Sequence, residues 1–209
     1  MRPCFPFALE GVRTGGMNWN VPNILTALRL LAAPGVAVMF LYFHRPWADW
    51  FALVLFISAA ATDWFDGYLA RAWKQTTKLG AMLDPIADKA MVVIALMVIV
   101  GYSSMSPWLV LPATVILFRE VFVSGLREFL GDTAGTLKVT QLAKWKTTAQ
   151  MIAIAVLFAQ GVFEHYFGAT TRGAVVLGHA GLWLLWIAAA LTLLTGYDYF
   201  RKSIPYLKD

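Results

Sequence analysis

Charged residues are scarce in this chain. Among 209 residues there are 17 Lys and Arg and 12 Asp and Glu, or 14%, whereas an average soluble domain carries about 25%. Hydrophobic residues make up 59%, and the mean hydropathy is +0.65. This composition excludes disordered and coiled-coil proteins, and it makes nucleic acid a poor partner despite a net charge of +5. The sequence therefore predicts a membrane protein.

Cysteine is nearly absent as well. With Cys4 alone, the chain can form neither an intramolecular disulfide nor a metal site with several cysteines. The apolar run 5–9 is shorter than the core of a signal peptide, which needs about 7–15 residues. We therefore expect residues 1–19 to be a cytosolic lead-in and not a cleaved export signal.

Long apolar segments are plentiful, and a membrane-spanning helix needs about 20 mostly apolar residues. The sequence predicts an all-α integral membrane protein with a six-helix domain over residues 20–202 and a cytosolic tail over 203–209. The six predicted spans are about Asn23–Phe43, Trp47–Arg71, Leu79–Gly101, Pro107–Leu130, Gln141–Phe163 and Ala174–Phe200.

The distribution of basic residues predicts the orientation of these spans. Cytoplasmic loops carry an excess of Lys and Arg. Fifteen of the 17 basic residues, all except Arg45 and Arg172, fall on the side that holds both termini. Both termini are therefore predicted to be cytosolic.

Four acidic residues lie at the ends of predicted membrane spans, where a charged side chain is costly. Asp63 and Asp66 end the second span, and Asp84 and Asp88 begin the third. The spacings i,i+3 and i,i+4 place each pair on one helix face. Since neighbouring spans can bring the two faces together, four carboxylates would converge, and two hard divalent cations such as Mg²⁺ or Mn²⁺ would neutralise them.

Small and basic residues surround these carboxylates. Gly67, Ala70 and Gly80 would let a ligand approach the backbone, and Arg71 and Lys78 supply positive charge for a diphosphate. Two alternatives stay open. Asp84 before Pro85 could be a helix N-cap, and the glycines could serve helix packing.

The segment 63–88 reads D-x-x-D-G-x-x-A-R-x8-G-x3-D-x3-D. This pattern resembles the signature of the CDP-alcohol phosphatidyltransferase family, with every fixed position present. Within the family, the chain is most similar to bacterial phosphatidylglycerophosphate synthases. The supporting segments are 20–29, 62–67, 83–89, 118–120, 124–128 and 144–150.

The resemblance implies transfer of a phosphatidyl group from CDP-diacylglycerol to glycerol 3-phosphate, with release of CMP. It implies Asp63, Asp66, Asp84 and Asp88 as ligands of two divalent cations, with Asp88 also as general base. It also implies a homodimer in a bacterial inner membrane, with the active site facing the cytosol. The residues predicted to contact CDP-diacylglycerol are Asn23, Thr26, Gly67, Ala70, Arg71, Lys78 and Gly80.

The acceptor's phosphate needs cations of its own. Arg119, Lys144 and Lys146 lie at the cytosolic ends of the fourth and fifth spans, and Arg29 lies inside the first. We predict that these four contact the acceptor, although cytosolic basic residues also anchor spans and bind anionic lipids. Glu120 could orient a neighbouring arginine or be solvated.

Two other functions remain possible on sequence grounds. The same chemistry could act on another acceptor, namely inositol phosphate, serine or phosphatidylglycerol, since the signature does not distinguish them. A cation transporter could also place four Asp residues in membrane helices, but here all four cluster at one end.

Overall fold

A computed structural model describes residues 20–72, 77–131 and 141–207 of the chain. Within these ranges, the side chains of residues 22, 63–72, 78, 141, 143 and 144 lie outside the description, as does the predicted lead-in over residues 1–19. The described part is helical, without strands. Its helices are α1 (Val21–Tyr42), α2 (Trp47–Ala72), α3 (Lys78–Tyr102), α4 (Pro107–Leu130), α5 (Gln141–Phe167) and α6 (Arg172–Ser203), followed by a 3₁₀ turn, Ile204–Tyr206.

The six helices confirm the helix count and the approximate bounds predicted from the sequence. Among the described residues, four stretches are long and apolar enough to cross a membrane: Asn23–Tyr42, Pro107–Leu130, Trp145–Phe167 and Arg172–Tyr206. In α2 the described side chains end at residue 62, and the apolar stretch Trp47–Thr62 ends with them.

Helix packing relies on small side chains. α1 packs against α2 and α3, and α5 packs along α6. In addition, α4 contacts α6, and α2 contacts α5. Ala33, Ala52, Ala95 and Ala153 are fully buried at these contacts, as expected where helix backbones approach closely in a membrane. Large apolar residues such as Val121, which is 72% exposed, cover the outside, where lipid would contact them.

An ion pair with a buried carboxylate lies at the start of α2, at the end of the molecule remote from the aspartate signature. Arg45 donates two hydrogen bonds to Asp49, from Nε to Oδ2 at 2.7 Å and from Nη2 to Oδ1 at 2.8 Å. These bonds raise the pKa of Arg45 above its already high value. Asp49 is 1% exposed, and α5 passes it at Gly161, where an added Cβ would lie 2.3 Å from Asp49 Oδ1. The absence of a side chain at Gly161 therefore lets α5 approach the pair.

We predict that Gly161→Ala destabilises the protein. The new methyl group would also lie 2.6 Å from Arg45 Nη2, so it must displace the Arg45–Asp49 ion pair. Overpacking of this kind costs about 1–3 kcal/mol. Thermal unfolding in detergent should show a Tm several degrees below that of the parent protein.

Gly125→Ala in α4 is the matched control. An added Cβ there meets nothing within 4 Å, and alanine is the better helix former by about 1 kcal/mol. Its Tm should equal or exceed that of the parent. Equal Tm values for the two variants would contradict the role assigned to Gly161.

Candidate active site

The third helix begins before the aspartates that it carries. Thr77 is its N-cap, and the Thr77 hydroxyl accepts a hydrogen bond from the Gly80 amide at 3.0 Å. Asp84 therefore lies in the second turn of α3, and Pro85 is inside the helix. The alternative that Asp84 caps a helix starting at Pro85 is wrong.

Two side chains of α1 hold the carboxylates of α3. The Thr26 hydroxyl donates to Asp84 Oδ1 at 2.6 Å, and Arg29 Nη1 donates to Asp88 Oδ1 at 3.0 Å. One turn before them, the Thr77 hydroxyl donates to Asn23 Oδ1 at 2.7 Å. The contacts advance along both helices in the same direction, so α1 and α3 run parallel and in fixed register.

The α1 residues of these contacts are much more buried than Asp88 of α3. Asn23, Thr26 and Arg29 are 2–3% exposed, whereas the Asp88 side chain is 50% exposed. The α1 residues thus lie behind the carboxylates, and Asp88 faces accessible space.

Gly80 of α3 lies directly against Asn23 of α1. An added Cβ would lie 2.7 Å from Asn23 Oδ1 and 3.2 Å from Thr77 Oγ1. This geometry favours the helix-packing alternative for Gly80 over a substrate contact.

The second half of the signature is described only as backbone. α2 is helical through residue 72, which places Asp63 and Asp66 one turn apart. The side chains of Asp63, Asp66, Gly67, Ala70, Arg71 and Lys78 lie outside the description. Among the side chains that are described, no three of His, Cys, Asp or Glu converge on a point that could hold a metal ion.

The donor chemistry of the described carboxylates nevertheless suits a hard divalent cation. Such cations prefer carboxylate oxygens, and a carboxylate offers about four lone-pair directions. Asp84 and Asp88 stand one turn apart on α3, and both are at least partly accessible. These residues therefore fit a metal site completed by further oxygen ligands.

A second polar cluster joins α4 to α5. Glu120 accepts hydrogen bonds from Lys146 Nζ and from Arg119 Nη1, the latter at 3.2 Å. All three side chains are largely buried, between 8% and 14% exposed. The cluster therefore carries two cations against one anion, a net positive charge available to an anionic ligand. Lys144, also predicted for this site, has its side chain outside the description.

The Glu120 cluster lies near the aspartates of α3. α3 contacts both α4 and α5, and Lys89, the neighbour of Asp88, is close enough to Glu120 to interact with it electrostatically. Arg119 packs against α6, where an added Cβ at Gly196 would lie 3.0 Å from Arg119 Cγ. Arg119 Nε is buried and has no hydrogen-bond partner among the described residues.

Two residues of the site were missed or left undecided by the sequence. Thr77 was not predicted, although a threonine just before a helical apolar run is a capping signal. Glu120 was left between orienting an arginine and being solvated, and the structure selects the first. Only the fold shows that its main partner is Lys146, 26 residues away.

Comparison with known proteins identifies the family. A family model described as CDP-alcohol phosphatidyltransferase matches residues 19–194. A protein of Cereibacter sphaeroides named CDP-diacylglycerol--glycerol-3-phosphate 3-phosphatidyltransferase is 67% identical, with 92% of this chain and 99% of the relative covered. Relatives of the same name from Salmonella choleraesuis and Escherichia coli K12 are 40% and 39% identical, each covered completely by 92% of this chain. The chain belongs to the CDP-alcohol phosphatidyltransferase family.

Proposed function

We propose that this chain transfers the phosphatidyl group of CDP-diacylglycerol to glycerol 3-phosphate, forming phosphatidylglycerophosphate for phosphatidylglycerol and cardiolipin synthesis. The observation that carries the proposal is the 67% identity, over nearly the whole of both chains, to a relative named for this activity. The aspartate signature and the positive cluster beside it are consistent with a diphosphate donor and a phosphorylated acceptor.

The reaction exchanges one phosphorus–oxygen bond for another. A hydroxyl oxygen of glycerol 3-phosphate attacks the phosphorus that bears the diacylglycerol. The bond from this phosphorus to the CMP oxygen breaks, and CMP leaves with the electron pair. The hydroxyl proton passes to Asp88, the proposed general base, whose carboxylate is half exposed and anchored by Arg29.

Two divalent cations, Mg²⁺ or Mn²⁺, would be held by Asp63, Asp66, Asp84 and Asp88. When bound, they would neutralise the diphosphate of the donor. Supporting this assignment, each aspartate pair is spaced by one turn on a helix that is continuous through it. Gly67, Ala70, Arg71 and Lys78 would contact the CDP moiety.

The acceptor's phosphate would bind at Arg119, Lys144 and Lys146. A bound phosphate would complement the excess positive charge of the Glu120 cluster, and arginine and lysine are common phosphate partners. Glu120 would hold both cations in place when no acceptor is bound.

We further propose that all six helices cross a bacterial inner membrane as a homodimer, with both termini and the active site cytosolic. α2 and α3 have 26 and 25 residues, and at 1.5 Å per residue either exceeds a hydrocarbon core of about 30 Å. The distribution of Lys and Arg supports the orientation.

The acceptor can be tested directly. Purified protein with CDP-diacylglycerol and Mg²⁺ should release CMP with glycerol 3-phosphate and much more slowly with serine, inositol phosphate or phosphatidylglycerol. CMP release with one of the latter and none with glycerol 3-phosphate would overturn the choice of acceptor. Ion flux in proteoliposomes without lipid turnover would favour a transporter instead.

Asp88→Asn should lower the turnover number at least about 100-fold, because a general base contributes about 10²–10⁴ to the rate. The measurement is CMP release at saturating substrates, with thermal unfolding as a check on folding. Asp198→Asn is the control, since Asp198 pairs with Lys202 at the surface, where both side chains are about 40% exposed. Full activity of folded Asp88→Asn would refute the assignment.

Lys146→Gln should raise the KM for glycerol 3-phosphate about 10- to 100-fold and leave the KM for CDP-diacylglycerol nearly unchanged. A hydrogen bond to a charged group contributes about 1.5–3 kcal/mol, and 1.4 kcal/mol is tenfold in affinity. Steady-state kinetics with each substrate varied in turn provides the measurement. Lys202→Gln, at the exposed end of α6, should change neither constant. An equal rise in both KM values for Lys146→Gln would contradict a phosphate contact.

A further inference from the structure

The polar residues of α1 occupy one short part of an otherwise apolar helix. Asn23, Thr26 and Arg29 fall in its first nine residues, whereas residues 30–41 contain no polar side chain. All three are almost fully buried. A buried arginine in a membrane helix is costly and needs an anionic partner, so its position requires a specific reason.

Each of these three residues contacts a different residue in the first part of α3 or at its N-cap. Asn23 accepts from Thr77, Thr26 donates to Asp84, and Arg29 donates to Asp88. The sequence predicts substrate contacts for the same residues. Their burial and their partners instead direct them at the carboxylates.

We propose that Asn23, Thr26 and Arg29 are positioning residues, which set the register of α3 and orient the carboxylates of Asp84 and Asp88 without touching either substrate. The inference rests on the proposed function, in which these carboxylates hold divalent cations. It replaces the substrate contacts predicted from the sequence for these three residues and for Gly80.

The three residues have different positioning roles because their side chains differ in chemistry. The Thr26 hydroxyl has one proton, and it donates that proton to Asp84 Oδ1, which restrains the orientation of this carboxylate. Arg29 presents a planar, permanently charged group that restrains Asp88 Oδ1. Asn23 and Thr77 set the distance between the helices, which Gly80 keeps short. Residues that hold metal-binding carboxylates by hydrogen bonds change metal affinity or activity by about 10–100-fold when removed.

Thr26→Val tests the proposal, because valine has nearly the shape of threonine but no donor. Binding of Mn²⁺ alone to the purified protein, measured from the loss of the free-ion EPR signal, should weaken about 10-fold or more. At saturating Mn²⁺, turnover should fall while the KM values for CDP-diacylglycerol and glycerol 3-phosphate stay within about twofold of the parent.

Thr26→Ser keeps the hydroxyl and should restore both Mn²⁺ affinity and turnover. Thr26→Val with parental Mn²⁺ affinity and a raised KM for CDP-diacylglycerol would overturn the proposal in favour of a direct substrate contact. So would a failure of serine to restore Mn²⁺ binding.

Arg29→Lys distinguishes a positioning role of the buried arginine from a direct contact with the acceptor. Lysine keeps the charge but not the planar group, so loss of positioning should lower turnover and leave the KM for glycerol 3-phosphate unchanged. A raised KM for glycerol 3-phosphate with unchanged turnover would assign Arg29 to the acceptor and overturn its positioning role.

Gly80→Ala provides an independent variant, needed if Thr26→Val folds poorly. Its methyl group would press on Asn23 Oδ1, separate α1 from α3 and weaken Mn²⁺ binding. Gly101→Ala, in the same helix and with nothing within 4 Å of the added Cβ, should bind Mn²⁺ like the parent. Equal Mn²⁺ affinities for the two variants would contradict the role of the α1–α3 spacing. Because Mn²⁺ binding needs neither substrate, these results stand apart from any failure to detect phosphatidyl transfer.

Discussion

A buried arginine needs an anion beside it, and this requirement ties α1 to the part of α3 that carries Asp84 and Asp88. Arg29 is 3% exposed and donates to Asp88, so sliding of the two helices would break a charge-assisted hydrogen bond in an apolar interior. The Thr26–Asp84 and Asn23–Thr77 bonds restrain the same two helices one and two turns earlier along α1. The orientation of half of the aspartate signature therefore depends on a helix outside that signature.

Glycines lie beside polar side chains of a neighbouring helix at three contacts between helices. Gly80 lies against Asn23, Gly161 against Asp49, and Gly196 against Arg119. In an apolar environment, helices gain little from hydrophobic burial and rely on close packing and hydrogen bonds. At each of these three contacts the missing side chain leaves room for a polar group of the neighbouring helix. Such packing occurs at the end of the molecule that holds the aspartates and, at Asp49, at the opposite end.

The cluster around Glu120 holds two cations close together, as the proposed binding of an anionic acceptor requires. Two buried cations would repel each other, and a single glutamate between them reduces that cost while leaving a net positive charge. Lys89, which follows Asp88 on α3, interacts electrostatically with Glu120, which links this cluster to the part of α3 that carries the carboxylates. That arrangement suits a reaction that brings a phosphorylated acceptor to a diphosphate donor.

Composition, hydropathy and residue spacing by themselves determined the all-helical class, the six helices and the aspartate pattern, because these depend on local order along the chain. They could not assign Thr26, Arg29, Gly80 or Glu120. A polar side chain in a membrane helix gives the same sequence pattern whether it contacts a substrate, a lipid or another helix. Only the tertiary structure decided that Thr26 and Arg29 meet Asp84 and Asp88, since those partners are 58 and 59 residues away. Their meeting follows from the packing of α1 against α3, which no local pattern encodes.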